Sequence, residues 1–454
     1  MRRMLGTLFL VLLALVGLVS PAVAGGRRGY TGEIGGAKYR VEVPDHWNGT
    51  VVVYSHPYYV EGMPTAIGLA NRPETEEWLL DHGYALAGSD FNPRTGFVIE
   101  QAVRDQGALL DWFGRTVGRP RDVVATGSSL GAAVSLKLAE RYPGRITGVA
   151  PLCGPLDLNG TFNMALDVTF ALRTLLAPGQ DIGLVHPRNP AHSVELLQQA
   201  VNTAMTTKEG RARLALAASF ANTPGWDRAL APKPADLAGQ LAQQVEITSG
   251  FWVQTFGPGG RPDLEAHAGG NPSWNVGVDY GRQLAKSSQR DLVEAAYRDA
   301  GISPDADLAK LAAAPRIAPD PAAVGWMYRN AVITGTQRAP VITLHNIADA
   351  ADPANERWLA DLMRGRSSDL RQVWAGRATH CAFTASEEIV TLQALFTKMR
   401  TGRWPNTPPA AMTAAAKRLP ARYQLVYDYP TNTNAQVTPS LVPFTPGVPL
   451  RPSR

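Results

Sequence analysis

The segment 127–131 reads Gly-Ser-Ser-Leu-Gly and has the residue types and spacing expected around a nucleophilic serine. It lies between a β-branched run, 123–126, and a stretch rich in alanine and leucine, 131–141. A strand that turns directly into a helix exposes the central serine above the sheet and leaves space only for small flanking residues. The helix N-terminus also favours negative charge that develops there. The glycine spacing therefore predicts Ser129, and not Ser128, as the nucleophile of an acyl-transfer reaction.

A serine hydroxyl needs a general base, and that base needs a carboxylate to orient it. With this motif the order along the chain is serine, acid, histidine. Asp349 follows a β-rich run, 340–344, and is the predicted acid. Asp352 is the alternative, although an aspartate followed by a proline, here Pro353, is more typical of a helix cap. His380 is the predicted base, because it is the only histidine that follows Asp349.

The tetrahedral intermediate of such a reaction needs two backbone N–H donors that form an oxyanion hole. The N–H of Leu130, directly after the serine, is the first candidate. The second donor is expected from the loop that follows the predicted strand 51–55. Pro57 in this loop has no N–H, so Tyr58 is the second candidate. His56 is expected to support the loop structurally.

The elements that must position these residues follow an alternating pattern. The predicted strands are 39–43, 51–55, 84–87, 123–126, 146–152, 340–344 and 370–374, and the predicted helices are 97–117, 131–141, 354–363 and 387–399. This alternation indicates a mostly parallel sheet with right-handed crossovers. The pattern is interrupted between about 155 and 335, where the chain is mainly helical.

The predicted organisation is a core of residues 25–154 and 336–404 with a helical cap insertion at 155–335. Residues 405–454 are rich in proline and are predicted to form an irregular arm with one strand, 423–427. The insertion contains eight large aromatic residues: Phe162, Phe170, Phe220, Trp226, Phe251, Trp252, Phe256 and Trp274. Most are expected to form the core of the cap, and the remainder to line an apolar acyl or aryl pocket.

The N-terminus carries a positively charged start, an apolar run at 5–19 and the triplet Ala22-Val23-Ala24. These features predict a secretory signal peptide, residues 1–24, and a secreted or periplasmic protein. An uncleaved anchor is the alternative, although the apolar run is shorter than the roughly 20 residues of a membrane span. The formal net charge of +5, or +3 without Arg2 and Arg3, gives no indication of nucleic-acid binding.

With Ser129, Asp349 and His380 in this order, residues 39–152 and 340–400 resemble the α/β-hydrolase superfamily. The segment 340–349 resembles its Pro-Val-x-x-Leu-His-x-x-x-Asp pattern, and the loop from His56 resembles its His-Gly-x loop with proline in place of glycine. The Trp-Asn-Gly at 47–49 and the His-Cys-x-Phe-Thr at 380–384 resemble a group of exported bacterial hydrolases. The resemblance implies an α/β-hydrolase fold, a mostly parallel sheet flanked by helices, with a large helical cap over the serine.

The two cysteines, Cys153 and Cys381, allow one disulfide in an exported protein, or two separate buried thiols. A cysteine directly after the predicted base resembles the tannase and feruloyl esterase family, in which a disulfide joins the cysteines beside the serine and the histidine. Ser128 precedes Ser129 here, so that bridge cannot form. A Cys153–Cys381 bridge is predicted instead, because both residues would lie at the carboxyl edge of the sheet.

The predicted activity is hydrolysis of a small-molecule carboxylic ester through an acyl-enzyme, without a metal or an organic cofactor. An amidase or peptidase would use the same residues, because the leaving group is selected by the pocket and not by the triad. The alternative from a different class is a non-catalytic exported binding protein on a hydrolase scaffold, since a fold alone does not prove activity.

Cleavage after Ala24 predicts that the exported protein begins at Gly25. N-terminal sequencing, or the intact mass of protein collected outside the cytoplasm, measures this directly. An exported protein that retains residues 1–24 would support the anchor instead.

Overall fold

The computed structural model describes residues 22–24, 26–63, 66–428 and 433–453. The predicted signal peptide covers residues 1–24, and its residues 1–21 lie outside the described residues. Among the described residues, no helix combines the length and the hydrophobicity that crossing a membrane requires.

Nine strands form one mixed sheet in the described part of the chain. They are β1 Ala22–Ala24, β2 Arg27–Ile34, β3 Ala37–Pro44, β4 Thr50–Ser55, β5 Ala85–Ser89, β6 Asp122–Ser128, β7 Gly148–Leu152, β8 Val341–Ala348 and β9 Leu370–Ala378. Their spatial order is β1-β2-β3-β5-β4-β6-β7-β8-β9. All pairs from β5 through β9 in this order are parallel, whereas β1, β2 and β3 join by antiparallel pairing.

Helices cover both faces of the sheet, so its central strands are buried on both sides. The flanking helices are α1 Pro73–Asp81, α2 Ile99–Thr116, α3 Leu130–Arg141, α13 Ala354–Leu362 and α14 Ala385–Thr401. Every residue of β4, β5 and β7 is buried, which is typical of parallel strands between two helical layers. Along β4 the side chains alternate, with Val51 and Val53 in one apolar layer and Val52 in the other. The predicted α/β-hydrolase fold is confirmed.

Between β7 and β8 lies a helical insertion, all of whose residues are described. Its helices are α4 Leu158–Leu176, α5 Pro190–Ala204, α6 Lys208–Ser219, α7 Leu237–Ile247, α8 Arg261–Ala268, α9 Tyr280–Lys286, α10 Arg290–Ala300, α11 Pro304–Ala313 and α12 Pro321–Asn330, with a π-helical segment at Thr248–Thr255 after α7. Of the eight large aromatic residues that the sequence places here, five are buried: Phe162, Phe170, Phe220, Trp252 and Phe256. Most of these aromatic side chains therefore form the core of the insertion.

Several elements of the structure are absent from the sequence prediction. Strand β2 alternates buried or half-buried positions with exposed ones, and its charged side chains give no apolar run that would mark a strand. Helix α1 begins at Pro73 with acidic residues in its first turn, which are helix-start signals in a short segment. The tail forms its predicted strand as β10 Leu425–Asp428 and adds helix α15 Pro409–Lys417 and strand β11 Thr433–Gln436, which pairs with β10. It is therefore more regular than an irregular arm.

The carboxyl group of Glu388 in α14 is buried in the layer between α14 and α1. It is 1% exposed and accepts hydrogen bonds from Asn71 and from the Thr75 hydroxyl. Burial raises the pKa of Glu388 from its ordinary 4.5 to about 7. A raised carboxyl pKa favours the protonated form in the folded state, so its stabilising effect is present at low pH and is lost as the pH rises through 7.

We expect Glu388→Gln to raise the free energy of unfolding relative to the native protein at pH 8.5, because glutamine fills the site without ionising. The advantage should shrink by up to about 3 kcal/mol between pH 8.5 and pH 4.5. Denaturant unfolding at several pH values measures this. The control is Glu195→Gln, whose side chain is 63% exposed. An equal pH dependence of both variants would contradict the assignment.

Candidate active site

The turn that carries Ser129 joins β6 directly to α3, and its geometry explains the two flanking glycines. A Cβ atom at Gly131 would lie 2.0 Å from the Ser55 carbonyl oxygen, and one at Gly127 would lie 2.3 Å from the Gly131 carbonyl oxygen. Ser129 has a φ of 54° and a ψ of −120°, a conformation that non-glycine residues rarely adopt. The turn is therefore strained and admits no larger residue on either side of the serine.

The structure brings Ser129, His380 and Asp349 together in one hydrogen-bonded line. The Nε2 atom of His380 lies 2.8 Å from the Ser129 Oγ atom, and its Nδ1 atom lies 2.7 Å from the Asp349 Oδ1 atom. Since a carboxylate only accepts, Nδ1–H donates to Asp349 and leaves Nε2 free to accept from the serine hydroxyl. Asp349 is 1% exposed, whereas Ser129 and His380 are half-buried. A substrate can therefore reach the serine and the imidazole but not the carboxylate.

Asp352, the alternative acid, does not face the histidine. Its Oδ1 atom accepts from the Ala354 N–H at 2.9 Å, and its Oδ2 atom accepts from the Asn222 amide at 2.8 Å. One oxygen of Asp352 is thus bound at the start of α13, and the other is bound by the helical insertion. This arrangement agrees with the helix-cap role that the following Pro353 suggested. The tertiary structure places Asp349, and not Asp352, beside His380.

Two further carboxyl groups, those of Asp227 and Asp352, lie near Asp349. Burial, with a contribution from the negative charge of Asp349, raises the pKa of each to about 6. Above pH 6 these groups add negative charge around the Asp349 carboxylate. The site therefore concentrates acidic groups in a region from which water is largely excluded.

The loop that carries His380 is held by a disulfide. The predicted Cys153–Cys381 bridge is present, with Cα atoms 5.3 Å apart. It links the end of β7 to the residue directly after His380, so the imidazole is anchored next to the strand beside the serine. His380, Cys153 and Cys381 are also the group of potential metal ligands that lies together in the described residues. Both sulfurs are joined to each other, so neither is available as a thiolate ligand.

A buried ion pair, which the sequence analysis did not find, supports the same loop. Arg377 at the end of β9 donates to both oxygens of Glu387 in α14, at 2.9 and 3.0 Å, and to the carbonyl oxygen of Ala382 at 3.0 Å. These contacts join chain segments that precede and follow His380. The two residues next to His380, Thr379 and Cys381, have positive φ values of 77° and 56°. No local sequence pattern marks Arg377 and Glu387, because their pairing depends on the packing of β9 against α14.

The two predicted oxyanion donors lie in different elements, one at the start of α3 and one in the loop after β4. Leu130 is the first residue of α3, so its N–H is one of those that have no acceptor inside the helix. Tyr58 lies in the loop after β4, and its ring stacks on Phe97 at a centroid distance of 4.4 Å. Burial raises the pKa of the Tyr58 phenol to about 12, so the phenol stays neutral. The role of the Tyr58 N–H remains a prediction.

His56, in the same loop, is packed between aromatic side chains as a structural residue. Its ring stacks between Tyr59 and Phe91, at centroid distances of 4.3 and 4.1 Å. Its Nδ1 atom lies 2.7 Å from the Pro57 carbonyl oxygen. His56 thus fixes the loop from inside the fold.

Aromatic side chains of the helical insertion meet the site. Phe251, in the π-helical segment, contacts His380 edge-on at a centroid distance of 5.8 Å, and packs against Phe256 at 4.7 Å. Phe256 in turn lies 5.3 Å from Phe97, the residue that Tyr58 stacks on. π-Helical turns occur frequently at functional sites, where they redirect side chains. An apolar aromatic cluster therefore connects the His380 loop to the Tyr58 loop.

Comparison with known proteins gives one curated relative over most of the chain. The chain is 27% identical over 424 residues to an o-phthalyl amidase from Xanthobacter agilis, which covers 86% of this chain and 91% of the relative. No protein-family model matches the chain.

Solved structures with detectable similarity include two from Aspergillus oryzae. One is an esterase, at 14% identity and a TM-score of 0.40, and the other is feruloyl esterase B, at 11% identity and a TM-score of 0.40. Each alignment covers 84% of this chain and 81% of the other chain.

The positions of the two aspartates predict different effects of neutral substitution. Asp349→Asn should lower kcat by about 10³- to 10⁴-fold, because an amide no longer holds His380 as the tautomer that accepts from Ser129. Asp352→Asn should retain most of the activity and should not unfold more easily above pH 6, because the amide oxygen still accepts a hydrogen bond and the change removes a buried charge. Steady-state kinetics and thermal unfolding of both variants measure these effects. A larger loss of kcat in Asp352→Asn would reverse the assignment.

Proposed function

We propose that this protein is a serine hydrolase that cleaves carboxylic esters through an acyl-enzyme on Ser129. The observation that carries the proposal is the continuous line from Asp349 through His380 to Ser129, with distances of 2.7 and 2.8 Å. A serine, an imidazole and a buried carboxylate in this arrangement are the parts that nucleophilic acyl transfer needs.

In this proposal the reaction starts when the Oγ atom of Ser129 attacks the ester carbonyl. His380 takes the serine proton at Nε2, and the Asp349 carboxylate stabilises the imidazolium that forms. The N–H groups of Leu130 and Tyr58 donate to the oxyanion of the tetrahedral intermediate. His380 then protonates the leaving alkoxide, and a water molecule, deprotonated by the same imidazole, hydrolyses the acyl-enzyme. No step requires a metal or an organic cofactor.

The proposed substrate is a small molecule with an apolar or aromatic acyl group. Phe251 presents an apolar surface directly beside His380, and the cluster behind it, through Phe256 to Phe97, is continuous. Apolar surface supplies most of the affinity of such pockets, and a few polar groups orient the ligand. Because the helical insertion contributes Phe251 and Phe256, we propose that it is the cap that shapes the acyl site.

Amide hydrolysis is the second candidate, and one observation favours it. The relative that spans 86% of this chain is named an o-phthalyl amidase. The same residues serve both reactions, since His380 can protonate a leaving amine as it does an alkoxide. The relative rates on matched esters and amides distinguish the two activities.

We propose that the protein acts outside the cytoplasm, as a secreted or periplasmic enzyme. The Cys153–Cys381 disulfide supports this, because disulfides persist in oxidising compartments and are rare in the cytosol. A cytosolic enzyme would lose the link that anchors the His380 loop to β7.

Ser129→Ala should lower kcat/KM for a p-nitrophenyl ester by roughly 10³-fold or more, because it removes the nucleophile. Ser128→Ala is the matched control, since Ser128 lies one residue away but its hydroxyl is paired with Tyr54 at 2.7 Å. The control should keep most of the activity. The measurement is the initial rate on a panel of aryl and alkyl esters and the corresponding amides.

Labelling by a fluorophosphonate probe gives an independent reading that does not depend on the choice of substrate. The native protein and Ser128→Ala should be labelled, and Ser129→Ala should not. Equal labelling of Ser129→Ala would contradict Ser129 as the nucleophile, and no labelling of the native protein would support a non-catalytic binding protein on this scaffold.

A further inference from the structure

His345 is a buried histidine behind the proposed triad. It lies near the end of β8, four residues before Asp349, and is 0% exposed. Its ring lies 6.1 Å from that of Trp374 on the neighbouring strand β9. The mechanism proposed above assigns no role to it.

Both ring nitrogens of His345 face oxygen acceptors. The Nδ1 atom lies 3.1 Å from the Glu356 Oε1 atom, and the Nε2 atom lies 2.9 Å from the Ala351 carbonyl oxygen. The Nε2 atom is also 3.6 Å from the Oδ2 atom of Asp349. A neutral imidazole has one donor and one bare nitrogen. In either tautomer a lone pair would therefore point at an oxygen in a buried region.

An imidazolium satisfies both contacts, because both of its nitrogens donate. The proton belongs on the ring rather than on Glu356, since imidazole is a stronger base than a carboxylate. Glu356 has a second donor that suits its ionised form, because its Oε2 atom accepts from the Gln372 amide at 2.9 Å. The arrangement is thus a cation between two carboxylates.

The Asp349 carboxylate needs such a cation. Its Oδ1 atom accepts from His380 and from the Ala351 N–H at 2.8 Å, but in the described part of the chain no hydrogen-bond donor reaches its Oδ2 atom. A buried carboxylate without full hydrogen bonding is costly unless a positive charge lies nearby. His345 supplies the positive charge on the side of Asp349 that faces away from His380.

The titratable groups around His345 favour its protonated form. Burial alone lowers the pKa of His345, but the hydrogen bond to Glu356 and the charges of Asp349 and Glu356 outweigh burial and raise it above its ordinary 6.5. Asp352 also interacts with the positive charge of His345. Among these groups every titratable neighbour is a carboxyl group.

We propose that His345 is a protonated positioning residue, an imidazolium held between Glu356 and Asp349 that pairs with the Asp349 carboxylate and keeps it directed at His380. His345 touches no reacting atom and acts through Asp349, so its effect on catalysis rests on the triad proposed above. Its protonation state does not depend on that proposal and is measured separately.

A second buried histidine, His56, is an internal control, because its ring is expected to be neutral. It is 5% exposed, its Nδ1 atom faces the Pro57 carbonyl oxygen, and within the described residues its Nε2 atom has no hydrogen-bond partner. Burial lowers the pKa of His56. It should therefore carry one ring proton where His345 carries two.

The direct test is nuclear magnetic resonance of the full-length protein labelled with ¹⁵N in its histidines, at pH 8. Both ring nitrogens of His345 should carry slowly exchanging protons, whereas His56 should show one protonated and one bare nitrogen. His345→Gln and His56→Gln assign the signals. If His345→Gln does not fold, single variants of the other seven histidines assign His345 by elimination. One bare nitrogen on His345 at pH 8 would overturn the proposal.

The functional test is the pH profile of kcat/KM for His345→Gln on the ester used above. Loss of a positive charge behind the triad favours protonation of the site, so the acidic limb should move to higher pH by about 1 to 3 units. His56→Gln removes a buried but neutral ring beside the Tyr58 loop, so it should leave the limb in place whatever its effect on kcat. A variant that loses stability or kcat without a shift of the limb would show a merely structural role and overturn the positioning role. If Ser129→Ala is fully active the triad proposal fails, and the resonance experiment still decides the charge of His345.

Discussion

Four neighbouring parallel strands end at the same edge of the sheet, and the proposed triad and its disulfide depend on that alignment. Ser129 follows β6, Cys153 follows β7, Asp349 follows β8 and His380 lies beyond β9. The backbone ladder continues into the loops, because the Ser129 N–H donates to the Leu152 carbonyl at 3.0 Å and the Cys153 N–H donates to the Leu344 carbonyl at 2.8 Å. The loops are therefore extensions of a rigid sheet.

This rigidity holds strained backbone in place. Ser129, Cys153, Thr379 and Cys381 all have positive φ angles, a conformation that costs free energy for residues other than glycine. The Cys153–Cys381 disulfide and the buried Arg377–Glu387 ion pair restrict the His380 loop. The tight packing around Gly127 and Gly131 restricts the turn at Ser129. The positive φ angles at Ser129 and beside His380 persist because several independent contacts hold each loop in place.

The environment of the site divides into an electrostatic side and an apolar side. Behind His380 lie Asp349, His345 and Glu356, all nearly inaccessible to water. In front of it lies Phe251 from the helical insertion. Charges interact strongly in the buried layer because little water screens them, while the aromatic side provides the surface that a substrate would contact. The insertion also reaches the buried layer, since Asn222 binds Asp352.

Much of the fold and part of the candidate site could be predicted from the sequence. The glycine spacing around Ser129, the single histidine after Asp349 and the alternation of strands and helices are local or ordered along the chain, so a linear reading detects them. The structure has the predicted fold and the predicted disulfide, and it brings the three predicted residues into contact. Strand β2, helix α15 and strand β11 were missed, because their formation depends on docking more than on an apolar pattern.

Only the tertiary structure decided the contacts between elements. Asp349 and Asp352 are three residues apart in one loop, and no sequence pattern shows which carboxylate points at His380 and which one binds Asn222. In the sequence, nothing distinguishes His345 from other histidines in strands. Only the structure places Glu356 and Asp349 next to its two ring nitrogens. The physical reason is the same in each case. Residue type and spacing determine what a side chain can donate, accept or bury, whereas the direction of that side chain and the charge it meets are set by elements that pack from distant parts of the chain.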